Sequence, residues 1–274
     1  MIKAIFFDID GTLISIRKHK IPESTLEAIS KVRRKGILTF LCTSRAKQFL
    51  TNIPGIEYDG LVCLTGAHCL DSRKNEISST PMDPGDVLSA VTFARRSGQP
   101  IVGVASDRIY LDDPWHPAIV NLFGTGGLTP DDIEGGFVKY PDFTEAEDPV
   151  KLIASLKIMQ LIGFFHSGAE EDIVMSGMPH SHTQRWTEAF VDVLAKSTTK
   201  AVGIEIMGRH FGFTEEESMA IGDGANDIPM IKAAEIGIAM GNATGDVKDA
   251  ADYITDDVDE DGLANALKHF LKLD

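Results

Sequence analysis

The chain is predicted to be an α/β protein, a doubly wound parallel sheet with a second, α+β domain inserted into it. Three observations carry this prediction. Apolar runs alternate with amphipathic helical stretches over residues 1–80, the rhythm of strands with helices on both faces. The same rhythm returns over 196–274. Between them, over 81–195, it is lost. We therefore expect one discontinuous domain at 1–80 and 196–274 and an inserted domain at 81–195.

Ile2 to Phe7 is apolar except for Lys3 and is bounded at once by Asp8, Asp10 and Gly11, so it reads as a buried parallel strand. Pro22-Glu23-Ser24 opens a helix that places Leu26, Ile29 and Val32 on one face and stops at Gly36. Ile37 to Cys42 is a second strand, closed by Thr43-Ser44-Arg45, and a further helical stretch is expected after it. Leu61 to Leu64 is a third strand, ending at Thr65-Gly66.

In the insertion, the segment from Pro81 to Gly85 breaks the chain. A helix is expected from Val87 to Arg96, with short strands at Ile101–Val104 and Ile109–Leu111. The stretch from Gly124 to Asp148 carries Asp131, Asp132, Glu134, Asp142, Glu145, Glu147 and Asp148, and reads as a solvated loop rather than a metal site. From Lys200 onward, Val202, Ile206, Met207 and Phe211 fit one helix face. Ser218 to Ile221 is a strand ending in Gly222-Asp223-Gly224. A helix from Ile228 to Ala234, a strand from Ile236 to Met240, a helix from Val247 to Ala251, a strand at Tyr253-Ile254 and a terminal helix from Leu263 to Leu271 complete the pattern.

Composition bounds the function. With 274 residues and 43% hydrophobic residues, the chain can bury a sizeable core. Its net charge is -15, from 41 acidic and 26 basic residues. So acidic a surface repels phosphate backbones and anionic lipid heads, so neither nucleic acid nor a membrane surface is an expected partner. An anionic small substrate would need local compensation by a metal or a few basic residues. Cys42, Cys63 and Cys69 form no CxxC and read as buried free thiols of a reducing compartment. No leader-like N-terminus and no apolar run of about 18 residues is present, so a cytoplasmic location is expected.

Two acidic clusters follow strands, and ligands of open α/β sheets bind at the carboxyl ends of strands. Asp8-Ile9-Asp10-Gly11-Thr12 is the first. Carboxylates that close repel one another unless a cation lies between them, and a hard divalent ion such as Mg²⁺ suits oxygen ligands where phosphate is the substrate. The second is Gly222-Asp223-Gly224-Ala225-Asn226-Asp227. It brings Asp223 and Asp227 and a glycine-rich turn whose N–H groups can face an anion. The plain alternative for each is a turn with helix caps. Thr43 ends the second strand with a hydroxyl, and Lys200 precedes the second cluster with a positive charge that could bind a phosphoryl group.

Taken together these segments resemble the phosphatases of the haloacid dehalogenase (HAD) superfamily, in particular the Cof-like group with a large cap inserted after the second motif. Asp8 to Leu13 matches the first family motif, Thr43 the second, Lys200 the third and Gly222 to Asp227 the fourth. Met240-Gly241-Asn242-Ala243 and Asp261-Gly262 resemble features further downstream. Thr43-Ser44-Arg45 departs from the usual Thr-Gly-Arg, and Thr65-Gly66 from the usual Asn-Gly, a position that faces the cap cleft in the family.

The resemblance implies a Rossmann-like HAD core and an α+β cap acting as a lid. It implies that Asp8 is the nucleophile and Asp10 the acid and then base. Mg²⁺ would be held by Asp8, the Asp10 carbonyl and Asp223, with Asp227 as an outer or additional ligand. Thr43, Ser44, Lys200 and Asn226 would hold the phosphoryl group. Arg45, Gly66 and Arg185 are candidates for substrate selection. For the run from His180 to Trp186, a polar loop is the plainer reading, and zinc binding by His180 and His182 lacks further ligands at suitable spacing. The expected activity is Mg²⁺-dependent hydrolysis of a small phosphorylated metabolite, a sugar phosphate foremost, through an aspartyl phosphate. A phosphomutase and a phospho-accepting signalling module are the alternatives.

Overall fold

The computed structural model describes residues 1–50, 53, 55–124, 136–165, 168–185 and 188–273. Asp131, Asp132, Glu134, His166 and Trp186 lie outside them. The chain divides into two compact units, one of Met1–Arg45, Asn52–Ser78 and Thr198–Asp274, the other of Ala46–Thr51 and Ser79–Ser197.

The first unit is organised by β1 (Ala4–Phe7), whose four residues are all buried. It lies between β2 (Leu38–Cys42) and β12 (Ser218–Gly222) and is parallel to both. Burial on both faces explains the unbroken apolar run. Beyond β12 come β13 (Ile236–Ala239) and β14 (Tyr253–Ile254), and beyond β2 comes β3 (Gly60–Cys63), all parallel. The sheet then continues as β4 (His68–Asp71), antiparallel to β3, and β5 (Glu76–Ser79) at the edge. These last two strands were not foreseen; their short mixed-polarity segments carry no strong period.

On one face of the sheet, Phe6, Phe40 and Val62 pack with Ile204 and Met207 of α6 (Lys200–Phe211) and Met230 of α7 (Ile228–Ala233). Phe6 and Phe40 stack with ring centroids 4.7 Å apart. On the other side, α1 (Glu23–Arg34) buries Ala28, Ile29 and Val32 and packs on β2 and on α9 (Gly262–Leu271). Helix α8 (Gly245–Ala250) covers β13. Among the described residues, the helical stretch expected after Arg45 is a 3₁₀ turn, Lys47–Phe49. The segment after Arg45 is short and offers too few apolar repeats to sustain an amphipathic helix.

The second unit holds a six-stranded, mostly antiparallel sheet: β10 (Ser181–Gln184), β11 (Val191–Ala195), β9 (Gln160–Gly163), β6 (Ile101–Val104), β7 (Ile109–Tyr110) and β8 (Phe137–Val138), in that order. Its core joins Leu161, Val191 and Val193 to residues of α2 (Pro84–Ser97), α4 (Pro149–Leu156) and α5 (Gly168–Ser176). A further helix, α3 (Pro117–Gly124), follows β7. Helix α2 begins earlier than its apolar pattern suggests. Asp83 accepts hydrogen bonds from the N–H groups of Gly85 and Asp86, with Pro84 at the first position, so the supposed chain break is an N-cap. Cys42, Cys63 and Cys69 are all buried, and none forms a disulfide. No helix among the described residues is long and apolar enough to cross a membrane.

Candidate active site

Parallel pairing in register fixes where the chemistry-bearing loops emerge. Phe7 lies opposite both Ile221 and Leu41, so the residues that follow leave the same edge of the sheet. The Asp8 N–H continues the ladder to the Ile221 carbonyl at 3.0 Å. Asp8, Thr43 and Asp223 thus start from three neighbouring strand ends.

Lys200 joins two of the clusters. It is the first residue of α6, after Thr199, whose side chain caps the helix by accepting from the Val202 N–H. Its ammonium is fully buried and donates to Asp8 Oδ1 and to Asp227 Oδ1, each at 2.5 Å. Burial alone would lower the Lys200 pKa, but the charges of Asp227 and Asp8 outweigh it and hold the ammonium above its ordinary value. The other oxygen of Asp227 accepts from the N–H groups of Asp223 and Gly224, both at 2.9 Å. Asp227 therefore folds the acidic turn and positions the lysine.

Asp8, Asp223 and Asp227 each offer a carboxylate oxygen within 4.8 Å of the others. Three carboxylates face a single ammonium, and the imbalance raises the pKa of Asp8 and of Asp223. Burial first, then the charge of Asp227, raises the Asp8 carboxyl well above the usual range despite Lys200. Burial and Asp227 likewise push Asp223 up to about 6. A divalent cation among these oxygens would remove the repulsion, and an all-oxygen donor set suits a hard ion. The residues present therefore fit a metal of that class.

The Asp10 carboxylate is not part of this group. Arg45 grips it with both arms of the guanidinium: Nε donates to Asp10 Oδ2 at 2.7 Å and Nη2 to Oδ1. Both side chains remain partly exposed. The reason is local. After β1 the chain turns, with Gly11 N–H bonded to the Ile14 carbonyl, and the turn carries Asp10 away from Asp8.

Thr43 is buried, and its hydroxyl oxygen accepts from the Arg45 N–H at 3.1 Å, leaving the hydroxyl proton to be donated. Ser44 beside it is half-buried. Asn226 is buried, and its Nδ2 has no acceptor among the described residues. An unsatisfied buried amide costs about 1–3 kcal/mol, and it offers a donor to an incoming anion.

Gly66 packs against the start of α6. Its φ is +94°, and a Cβ there would lie 2.1 Å from the Thr199 carbonyl oxygen. It follows Leu64 and Thr65, which also have positive φ, so this turn fits under the start of α6. Arg185 belongs to the second unit, where its Nη2 donates to Glu171 Oε2 at 2.6 Å. His180 is brought near Asp83 and Asp86, but the buried Asp86 already accepts from the His180 N–H and the Ser181 hydroxyl through Oδ2.

The sequence analysis assigned no role to Thr12 or Asn242. Thr12 Oγ1 donates to Asp223 Oδ1 at 2.9 Å, and Asn242 Nδ2 donates to the Gly11 carbonyl at 2.8 Å and to Asp223 Oδ2 at 3.3 Å. Both residues stood in the motif segments; their pairing across 211 and 19 positions left no mark in local sequence.

The sequence profile of the haloacid dehalogenase-like hydrolases matches residues 5–267. A Bacillus subtilis (strain 168) protein named Putative phosphatase YkrA is 32% identical, the match covering 97% of this chain and 96% of that protein. The solved structure of BT4131, described as a HAD subclass IIB sugar phosphatase, is 34% identical with a TM-score of 0.83, covering 98% of each chain. That of BT1666 from Bacteroides thetaiotaomicron, described among the phosphatases of the same superfamily, is 32% identical with a TM-score of 0.81, covering 98% of this chain and 95% of that one.

Proposed function

The chain belongs to the haloacid dehalogenase-like hydrolases and is an enzyme of their phosphatase branch, and from that premise we propose that it is a Mg²⁺-dependent phosphatase of a small phosphorylated metabolite, a sugar phosphate foremost. The observation that carries the reading is the buried Lys200 ammonium bridging Asp8 and Asp227 beside Asp223. The likeness to a protein described as a sugar phosphatase supports the substrate class.

In this reading Asp8 is the nucleophile. A carboxylate needs no base to activate it, and its difficulty is repulsion by the anionic ester. Lys200 reduces that repulsion and stabilises charge on the transferring group. Mg²⁺, held by Asp8, Asp223 and the Asp10 carbonyl, would supply further charge stabilisation at the phosphoryl oxygens. The Thr43 hydroxyl, Ser44, the Asn226 Nδ2 group, which has no acceptor among the described residues, and Lys200 take the remaining phosphoryl oxygens.

Asp8 forms a bond to phosphorus as the phosphorus–ester oxygen bond breaks, and Asp10 gives its proton to the leaving alkoxide. Asp10 then takes a proton from water as the water oxygen attacks phosphorus and the bond to Asp8 breaks. One group serves both half-reactions because they are near mirror images. Arg45 occupies both oxygens of Asp10, so the proton transfers require it to release at least one. We assign selection of the ester's alcohol part to the inserted segment 81–195, taken as the cap.

The test is phosphate release from a panel of sugar phosphates and p-nitrophenyl phosphate, with Mg²⁺ and with chelator. Release that needs Mg²⁺ supports the reading; equal release in chelator contradicts it.

A further inference from the structure

We propose that Asn242 is a positioning residue for the metal ligand Asp223, an inference that rests on the function proposed above. Asn242 lies in the turn after β13, next in the sheet to β12, whose end carries Asp223, and two places from β1, whose end carries Asp8. Its amide reaches both of these loops. Nδ2 donates to the Gly11 carbonyl, in the loop between Asp10 and Thr12, and to Asp223 Oδ2. Oδ1 accepts from the Val258 N–H at 2.9 Å. Only one orientation of the amide serves these partners, since Gly11 offers a carbonyl and Val258 an N–H.

Asp223 is thereby held at both oxygens, by Thr12 at Oδ1 and by Asn242 at Oδ2. Packing leaves it little room to swing. A Cβ on Gly11, whose φ is +90°, would lie 2.1 Å from Asp223 Oδ2, so the loop backbone rests directly against the carboxylate. The third partner is anchored in turn. Val258 begins a 3₁₀ turn whose Asp257 and Asp259 bind the Arg17 guanidinium, both at 2.7 Å. Arg17 follows Gly11 in the same loop. Asn242 thus closes a ring of contacts joining the Asp8–Arg17 loop, Asp223 and the segment at Asp257–Asp259.

Asp223 sits among Asp8 and Asp227, so its orientation toward a cation is worth most if it is fixed before the cation arrives. Carboxylates that ligate metals are commonly oriented by such partners, and their loss weakens metal binding by roughly 10–100-fold. Asn242 is exposed, so truncating it leaves no core cavity.

The test measures Mg²⁺ binding by calorimetry, without substrate, in the wild-type protein, Asn242→Ala and Asn242→Leu, the last keeping the volume without the polar ends. Both variants should bind Mg²⁺ about 10-fold more weakly, melt like the wild type in chelator and recover near-wild-type kcat at saturating Mg²⁺. A variant that binds Mg²⁺ as the wild type does overturns the inference and leaves the proposed function standing. A variant that melts earlier in chelator with unchanged Mg²⁺ affinity also overturns it, since the role is then only structural. If the wild type itself binds no Mg²⁺, the proposed function fails first.

Discussion

Gly66 and Thr199 meet backbone to backbone: a side chain on Gly66 would lie 2.1 Å from the Thr199 carbonyl oxygen. The next residue is Lys200. The turn after β3 therefore sets the depth at which α6 begins and, through it, the place of the ammonium. Gly66→Ala should cost about 2–4 kcal/mol, from the positive φ and the collision together. It should also lower kcat, because the start of α6 must shift. Thermal melts and kinetics on the same preparation check both; a wild-type kcat would show that Lys200 is placed independently of Gly66.

Lys200→Met removes the one ammonium among three carboxylates. Stranding buried charges of this kind costs about 3–5 kcal/mol. The loss should shrink when Mg²⁺ is added, because the cation restores positive charge. It should also shrink as pH falls. The Asp8 carboxyl is already raised in the folded protein, so the folded state binds more protons than the unfolded chain in the intervening window, and stability is gained on acidification and lost as pH rises through the folded value. Melting curves across pH, with and without Mg²⁺, read all three effects.

The raised carboxyls also govern metal binding. Asp223 is pushed up to about 6 by burial and Asp227, and a ligand must be deprotonated to bind. Mg²⁺ affinity should fall as pH drops through that value, with protons released on binding. Calorimetry at pH 6 in two buffers of different ionisation enthalpy reports the protons; identical heats would contradict the prediction.

Arg45→Ala frees Asp10 from its guanidinium fork. Turnover should fall by about 10-fold, as expected for some 1.4 kcal/mol of lost orientation at the group that moves the proton. Mg²⁺ affinity should not change, since the Asp10 carboxylate lies outside the metal-binding group. A parallel fall in Mg²⁺ affinity would show that the fork supports the metal site instead.

Much of this was legible in sequence because it is local. Ile2 to Phe7 read as a buried parallel strand, and the acidic turns sat at its end and at the end of Ser218–Ile221. What stayed hidden depends on the third dimension. Nothing in the sequence told whether the Asp10 side chain faces Asp8 or Arg45; a three-residue turn decides it. The resemblance implied Asp227 as an outer or additional metal ligand, but not that it holds Lys200 on one side and two backbone N–H groups on the other. The close approach of Gly66 to the Thr199 carbonyl also left no mark in the sequence, since it joins segments far apart in the chain. The strands β4 and β5 escaped because each is a four-residue segment of mixed polarity with no strong period.

The central claim is that Asp8 carries the phosphoryl group between ester and water. It is tested by acid-quenching the enzyme during turnover of a sugar phosphate in Mg²⁺, reducing with borohydride and sequencing by mass spectrometry. An aspartyl phosphate is reduced to homoserine, so homoserine should appear at position 8 in the wild-type protein and not in Asp8→Asn, which should also release no phosphate. Full turnover by Asp8→Asn would contradict the account.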